Sequence, residues 1–262
     1  MKKVILVLFS LLVSSALFAD DLEMVKIPGK KFEMLKTEVT QELYEYIMYE
    51  NPSWMKGSDL PVESVSWYDA IYFCNKLSER VGLEPAYSVN GKTDVYSWYY
   101  TPNHGNIISG KITWNTSANG FRLPTLQEWI YAARGGKNYK YAGGDNVDEV
   151  CWYRGNSSGV THPVAEKKAN DYGLYDMTGN VFEWCWDIFY NNSLMRCYNG
   201  GSVYKFSDFG WDSYWGDPAD EQNYAVGFRI VRNVSGNSSA WNPSKSMENA
   251  IENKINPREL FE

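Results

Sequence analysis

Apolar positions return at helical spacing in three stretches of the first half of the chain. Thr40 precedes residues 41–49, where Leu43, Tyr46 and Ile47 share one face and Pro52 ends the run. A threonine at that place can accept a hydrogen bond from the unpaired N–H groups of a first helical turn. Ser66 and Asp69 have the spacing of a capping box, and Trp67, Ala70, Ile71, Cys74 and Leu77 then recur until Gly82. Thr125 and Glu128 repeat the device ahead of Trp129, Ala132 and Ala133, with Gly135-Gly136 as the stop. These patterns predict three amphipathic helices that serve core packing first. From Gly143 onward Gly, Asn, Ser, Asp and aromatic residues dominate. Short strands are predicted at 195–198, 201–206 and 227–232, with irregular chain between them. Fixing irregular backbone costs roughly 1–2 kcal/mol per residue, so such a segment needs more than ladder hydrogen bonds, and a bound metal ion is one solution.

The first nineteen residues, with Lys2-Lys3, an apolar run from Val4 to Leu17 and the small Ala19, are expected to be a signal peptide cut before Asp20. The run falls short of the roughly 20 residues of a comfortable membrane span, and no second apolar stretch approaches that length. The expected product is secreted or displayed at the cell surface, without a transmembrane segment. The first cysteine is Cys74, so no cysteine follows the apolar run to carry a lipid. Residues 20–234 are expected to form one domain, and 235–262 a polar C-terminal tail. The net charge of −7 argues against a nucleic-acid surface, which requires clustered Lys and Arg. The four cysteines, Cys74, Cys151, Cys185 and Cys197, permit three disulfide connectivities, and their spacing selects none; buried free thiols remain an equal alternative. There is no CxxC, and His104 and His162 are the only histidines, which leaves little for a zinc site.

Several ordered motifs carry a family resemblance. They are Thr37-Glu38-Val39-Thr40, the stretch from Pro61 to Trp67 with Asp69-Ala70, Phe121-Arg122-Leu123-Pro124-Thr125 with Glu128-Trp129, the stretch Asn170 to Trp184, Gly200-Gly201-Ser202, and Gly227-Phe228-Arg229-Ile230-Val231. Together they resemble the formylglycine-generating enzyme (sulfatase-modifying factor) family from about Val25 to Arg232. The resemblance implies an α+β chain with the C-type lectin fold of that family: small twisted antiparallel sheets, flanking helices and much irregular loop. It also implies one structural calcium, held by the side chains of Asp176 and Glu183 and the carbonyls of Gly179 and Val181. Independently, two carboxylates seven residues apart around Gly179-Asn180 have the chemistry of an oxygen-ligand loop. The metal-free alternative has Asp176 capping the turn and Glu183 pairing with an arginine. The family's second calcium segment has no counterpart of sufficient length in 151–164. The calcium-binding triplets of sugar-binding lectins are absent, and the nearest approaches are Glu84-Pro85-Ala86 and Asp217-Pro218-Ala219.

In the enzymes of this family two copper-binding cysteines follow the Gly-Gly-Ser motif by about three and eight residues. Here those places hold Lys205 and Gly210, neither of which supplies the soft sulfur ligand that copper(I) needs. No copper is expected, and the implied activity shifts from oxidation to binding. Residues 203–224 instead mix aromatics with Ser, Asp and Gly, the composition that builds antibody paratopes. This arrangement resembles the variable proteins of diversity-generating retroelements, in which adenines of Asn codons are randomised. Tyr204, Phe206, Ser207, Asp208, Phe209, Asp212, Ser213, Tyr214, Asp217 and Tyr224 are reachable by such substitution and are the candidate ligand contacts. Lys205, Trp211, Trp215, Glu221 and Gln222 are not reachable and would be fixed by the template. The expected partner is a macromolecule, a protein on another cell surface. The alternative is an oxidase of the formylglycine class with displaced cysteines.

Overall fold

Each of the three helices begins at the cap marked by the sequence. Helix α1 spans Gln41–Met48, with the Thr40 side chain accepting from the Leu43 N–H at 3.2 Å and Tyr49 closing the end in the left-handed region. Helix α2 spans Trp67–Arg80, and both halves of the Ser66/Asp69 capping box are present. Helix α3 spans Leu126–Arg134, with the Thr125/Glu128 box complete and Gly135 at φ 59° as its stop. A further short turn of helix, α4, covers Val147–Val150. These positions come from a computed structural model that describes residues 22–207, 210 and 213–234. The expected signal peptide 1–19 and tail 235–262 lie outside the described residues. Among the described residues no helix is long and apolar enough to cross a membrane.

Among the described residues, ten short strands build three sheets. Strands β1 (Met24–Lys26), β2 (Phe32–Leu35), β5 (Phe121–Arg122) and β10 (Val231–Asn233) form one sheet in the order β1-β2-β10-β5. Val231 lies opposite both Met34 and Arg122, so the two ends of the domain close on each other. Strands β3 (Tyr87–Val89) and β4 (Ile112–Trp114) form a separate pair. The third sheet, β8-β7-β6-β9, uses β6 (Phe182–Phe189), β7 (Asn192–Asn199), β8 (Trp215–Pro218) and β9 (Val226–Gly227). Its β6 and β9 run parallel, with Phe182 opposite Val226, a departure from the all-antiparallel expectation.

One strand expectation is met within a longer strand and two need correction. The segment 195–198 lies inside the longer β7. Residues 201–206 form no strand, because Gly200 and Gly201 take φ of 98° and 80° and the Lys205 N–H turns back to the Ser202 carbonyl at 3.0 Å. The segment 227–232 splits into β9 and β10, since the Phe228 and Ile230 carbonyls accept instead from Val39 and Leu35. Strand β6 was not anticipated. Its alternating side chains place Phe182 and Trp184 in the larger core cluster with Trp67 and Phe228, and Cys185 in a second cluster with Trp129 and Met177. Indole N–H groups tie α2 to this sheet: Trp67 donates to the Cys185 carbonyl at 3.0 Å and Trp184 to the Val65 carbonyl at 2.9 Å.

Candidate binding surface

The turn Asp176 to Glu183 is the scaffold of the site. Gly179 sits at φ 90°, and a Cβ there would lie 2.3 Å from the Trp152 carbonyl and 2.4 Å from Cys151 Sγ, so only glycine fits. Asn180 is the hub. Its Nδ2 donates to Glu38 Oε2 at 2.8 Å and to the His162 carbonyl, its Oδ1 accepts from the His162 N–H, and its carbonyl accepts from the Val203 N–H at 3.0 Å. The Gly179 N–H donates to the Gly200 carbonyl at 2.8 Å. The turn therefore fixes the entry to residues 203–224 through hydrogen bonds to the segment that precedes them.

Glu183 is fully buried between two donors. Arg229, also fully buried, reaches both carboxylate oxygens at 2.6 Å, and Trp129 Nε1 donates to Oε2 at 2.6 Å. Asp176 is buried too and accepts from the Ala165 N–H at 2.7 Å. Burial is the main force pushing its carboxyl up to about 6, with the Ala165 N–H and Arg229 opposing that shift and Glu183 adding to it. Glu38 is raised as well, first by burial and then by Asp176 and Glu183. The implied calcium ligands fit this geometry poorly, because the Glu183 carboxylate is already neutralised by a guanidinium and capped by an indole. No cluster of three or more His, Cys, Asp or Glu side chains suited to a metal ion occurs among the described residues.

The candidate contact residues divide into groups. Tyr204 and Tyr224 pack edge to face at 5.0 Å between ring centroids, and Trp54 continues the run at 5.9 Å from Tyr224. Trp54 is 74% exposed and Tyr224 47%, while Tyr204 is half-buried against the core. Phe206 is 61% exposed and lies under the Arg154 guanidinium at 4.6 Å. Tyr214 is exposed but packs on Phe189 at the β6–β7 hairpin, and among the described residues no ring contact joins it to Tyr204, Phe206 or Tyr224. The Ser207 carbonyl accepts from Tyr141 Oη at 2.6 Å, and Ser213 Oγ accepts from the Gly210 N–H at 3.3 Å. Asp217 lies in β8 opposite Arg196 and bonds the Tyr198 hydroxyl. Asp208, Phe209 and Asp212 lie outside the described residues. Trp54 was missed by sequence reasoning. The Ser64 N–H donates to the Asn223 carbonyl at 3.1 Å, and Glu63 braces Met55 and Ser64, so the 51–64 loop is brought beside Tyr224. Its only sequence signal was a tryptophan just after a helix-ending proline.

At the places of the family's reactive thiols stand Lys205, whose ammonium lies over the Phe182 and Trp215 rings, and Gly210. All four cysteines are buried free thiols. Burial raises each of them, Cys197 to about 11 and the others higher, so each is held as a neutral thiol.

The comparison with known families decides the matter: the model of the sulfatase-modifying factor enzyme 1-like domain matches residues 19–234. The chain belongs to this family. Among solved structures it is similar to variable protein 1 of Treponema denticola, with 32% identity, a TM-score of 0.70, and coverage of 80% of this chain and 91% of that one. Among curated proteins it is similar to the chaperone protein LppX of Paenibacillus barcinonensis, 42% identical over 176 residues, covering 60% of this chain and 62% of the relative. It is also 42% identical over 85 residues to the formylglycine-generating enzyme of Mycobacterium tuberculosis, covering 27% and 28% of the two chains. The chain thus spans less than two thirds of the length of either curated relative. Its fold is the C-type lectin variant of the formylglycine-generating enzymes, as the motifs implied.

Proposed function

We propose that this protein is an exported, non-enzymatic ligand-binding protein whose 203–224 segment, joined by Trp54, forms the contact surface for a protein on another cell surface. The observation that carries this reading is the aromatic run of exposed Trp54 and Tyr224 with half-buried Tyr204, together with exposed Phe206 next to Lys205, which stands where the family's enzymes carry a reactive thiol. Aromatic rings offer large contact area with few rotatable bonds, and exposed apolar patches mark interfaces. The similarity to a variable protein supports binding, and the chaperone relative is in keeping with a protein partner.

We further propose retroelement diversification of the segment. Two template-fixed positions turn inward, Trp215 onto Phe182 at 5.1 Å and Gln222 toward Asp69 at 3.4 Å, while reachable Phe206, Tyr214 and Tyr224 face outward. A scaffold that tolerates variation needs this division. The test is an alanine series over Trp54 and residues 203–224, read for both unfolding and capture of a selected ligand. A few aromatic positions should each contribute at least ~2 kcal/mol to binding. If most of these changes unfold the domain instead, the segment is core and the reading fails. Sequencing the gene's surroundings for a near-identical template copy and a reverse transcriptase tests the diversification separately.

A further inference from the structure

The β6–β7 hairpin carries two of the four cysteines into one buried cluster. Glu183 lies opposite Asn199 and Trp184 opposite Tyr198, and the next step along both strands carries Cys185 and Cys197. Successive side chains of a strand point to opposite faces. Trp184 and Tyr198 turn into the larger core cluster, their rings 5.3 Å apart, whereas Cys185 and Cys197 both lie in the second cluster with Trp129, Ala132 and Met177. The next paired step is Ile188 with Arg196, so Cys197 faces the three-residue bulge 185–187 that Cys185 opens, and residues facing each other across an antiparallel ladder hold their Cβ atoms about 4.5–5.5 Å apart. A disulfide needs about 3.5–4.5 Å, so a small approach closes it. That approach falls in the irregular part of the ladder, where the register shifts after Trp184 and the Trp186 N–H donates to the Pro124 carbonyl instead of to β7. Cys74 is in α2 within the larger cluster, and Cys151 follows α4 in a third, beside Gly179. Neither packs with the pair or with the other.

We propose that Cys185 and Cys197, reduced in this structure, form a cross-strand disulfide in the mature protein, while Cys74 and Cys151 stay as thiols. Of the three connectivities open to four cysteines, this selects one bridge and excludes a second. Closing it removes one proton and one electron from each thiol. The electrons reduce the disulfide of a thiol–disulfide oxidoreductase, or glutathione disulfide, to two thiols. Both cysteines are at most 2% exposed in the folded domain, so the exchange takes place before the second cluster closes around them. The bridge would bind β6, which carries Glu183, to β7, which leads into Gly200-Gly201-Ser202 and pairs Cys197 with Gly216 of β8. Both flanks of the contact segment would then be anchored to one cross-link.

The supply of oxidant in the cell rests on the export reading, so the test has two arms. The full chain is purified after export, and separately refolded from denaturant in a glutathione/glutathione disulfide buffer. Each sample is alkylated under denaturing conditions without reductant and mapped by peptide mass spectrometry. The expected result in both arms is two alkylated cysteines, Cys74 and Cys151, and a linked peptide pair 2 Da lighter than the sum of its parts. Cys185→Ala and Cys197→Ala should each abolish the linked pair, and reduction should lower the thermal midpoint of the parent only. Four alkylated cysteines after refolding, or a bridge involving Cys74 or Cys151, overturns the proposal. A bridge in the refolded arm alone supports the pairing and counts against export.

Discussion

Asp176 provides a sharp test of how the Asp176 to Glu183 turn is stabilised. Its carboxyl is buried and raised from 3.8 to about 6, chiefly by desolvation. A carboxyl with a raised folded value holds its proton more tightly in the folded state. The associated stability is therefore fully present below about 3.8 and is lost as the pH rises through 6. Two units correspond to about 3 kcal/mol, an upper figure for the loss at pH 8. Asp176→Asn keeps an oxygen to accept from Ala165 and removes the charge. The variant should match the parent at pH 4 and exceed it at pH 8 by up to about 3 kcal/mol, or roughly 6–12 °C in a domain of this size. The assay is urea unfolding followed by tryptophan fluorescence at pH 4, 6 and 8, with and without a calcium chelator. Taking the difference between variant and parent cancels the titrating groups that do not interact with Asp176, whereas Glu38, which Asp176 helps to raise, contributes to the difference. A calcium ion bound at Asp176 gives the opposite signature: the variant is less stable at pH 8, and chelation lowers the midpoint of the parent alone. That outcome would refute the view that Arg229, and not a metal, answers the buried negative charge.

Three other outcomes follow from the geometry. Glu183→Gln or Arg229→Met, assayed by denaturant unfolding, should cost about 3–5 kcal/mol, because each leaves a fully buried charge without its partner. Trp129→Ala and Trp184→Ala should each cost about 3–5 kcal/mol by the same measure, whereas Phe206→Ala and Tyr224→Ala, at exposed positions, should stay within about 1 kcal/mol of the parent. Incubation with copper, oxygen and a cysteine-containing sulfatase peptide should leave the peptide mass unchanged; conversion to an aldehyde that depends on Cys185 or Cys197 would show that the oxidase alternative is right.

The helices were legible because their instructions are local. A cap such as Ser66 with Asp69 and an apolar stripe such as Trp67, Ala70, Ile71 and Cys74 both act within a turn or two, and α2 formed where they stand. The loss of thiols after Gly200-Gly201-Ser202 was equally plain, since it is a matter of identity and not of shape. What the sequence left open depends on pairings between segments far apart in the chain. Trp54 joins Tyr224 only because Ser64 bonds to Asn223, and Arg229 claims Glu183 only because β9 lies parallel to β6. The same long-range packing divides 201–232 into turn, β8, β9 and β10, although composition made 201–206 look like a strand. Local propensity determines where chain segments begin and stop. Which buried charge meets which partner, and which aromatic ring stays in water, is decided when distant segments compete for the same core.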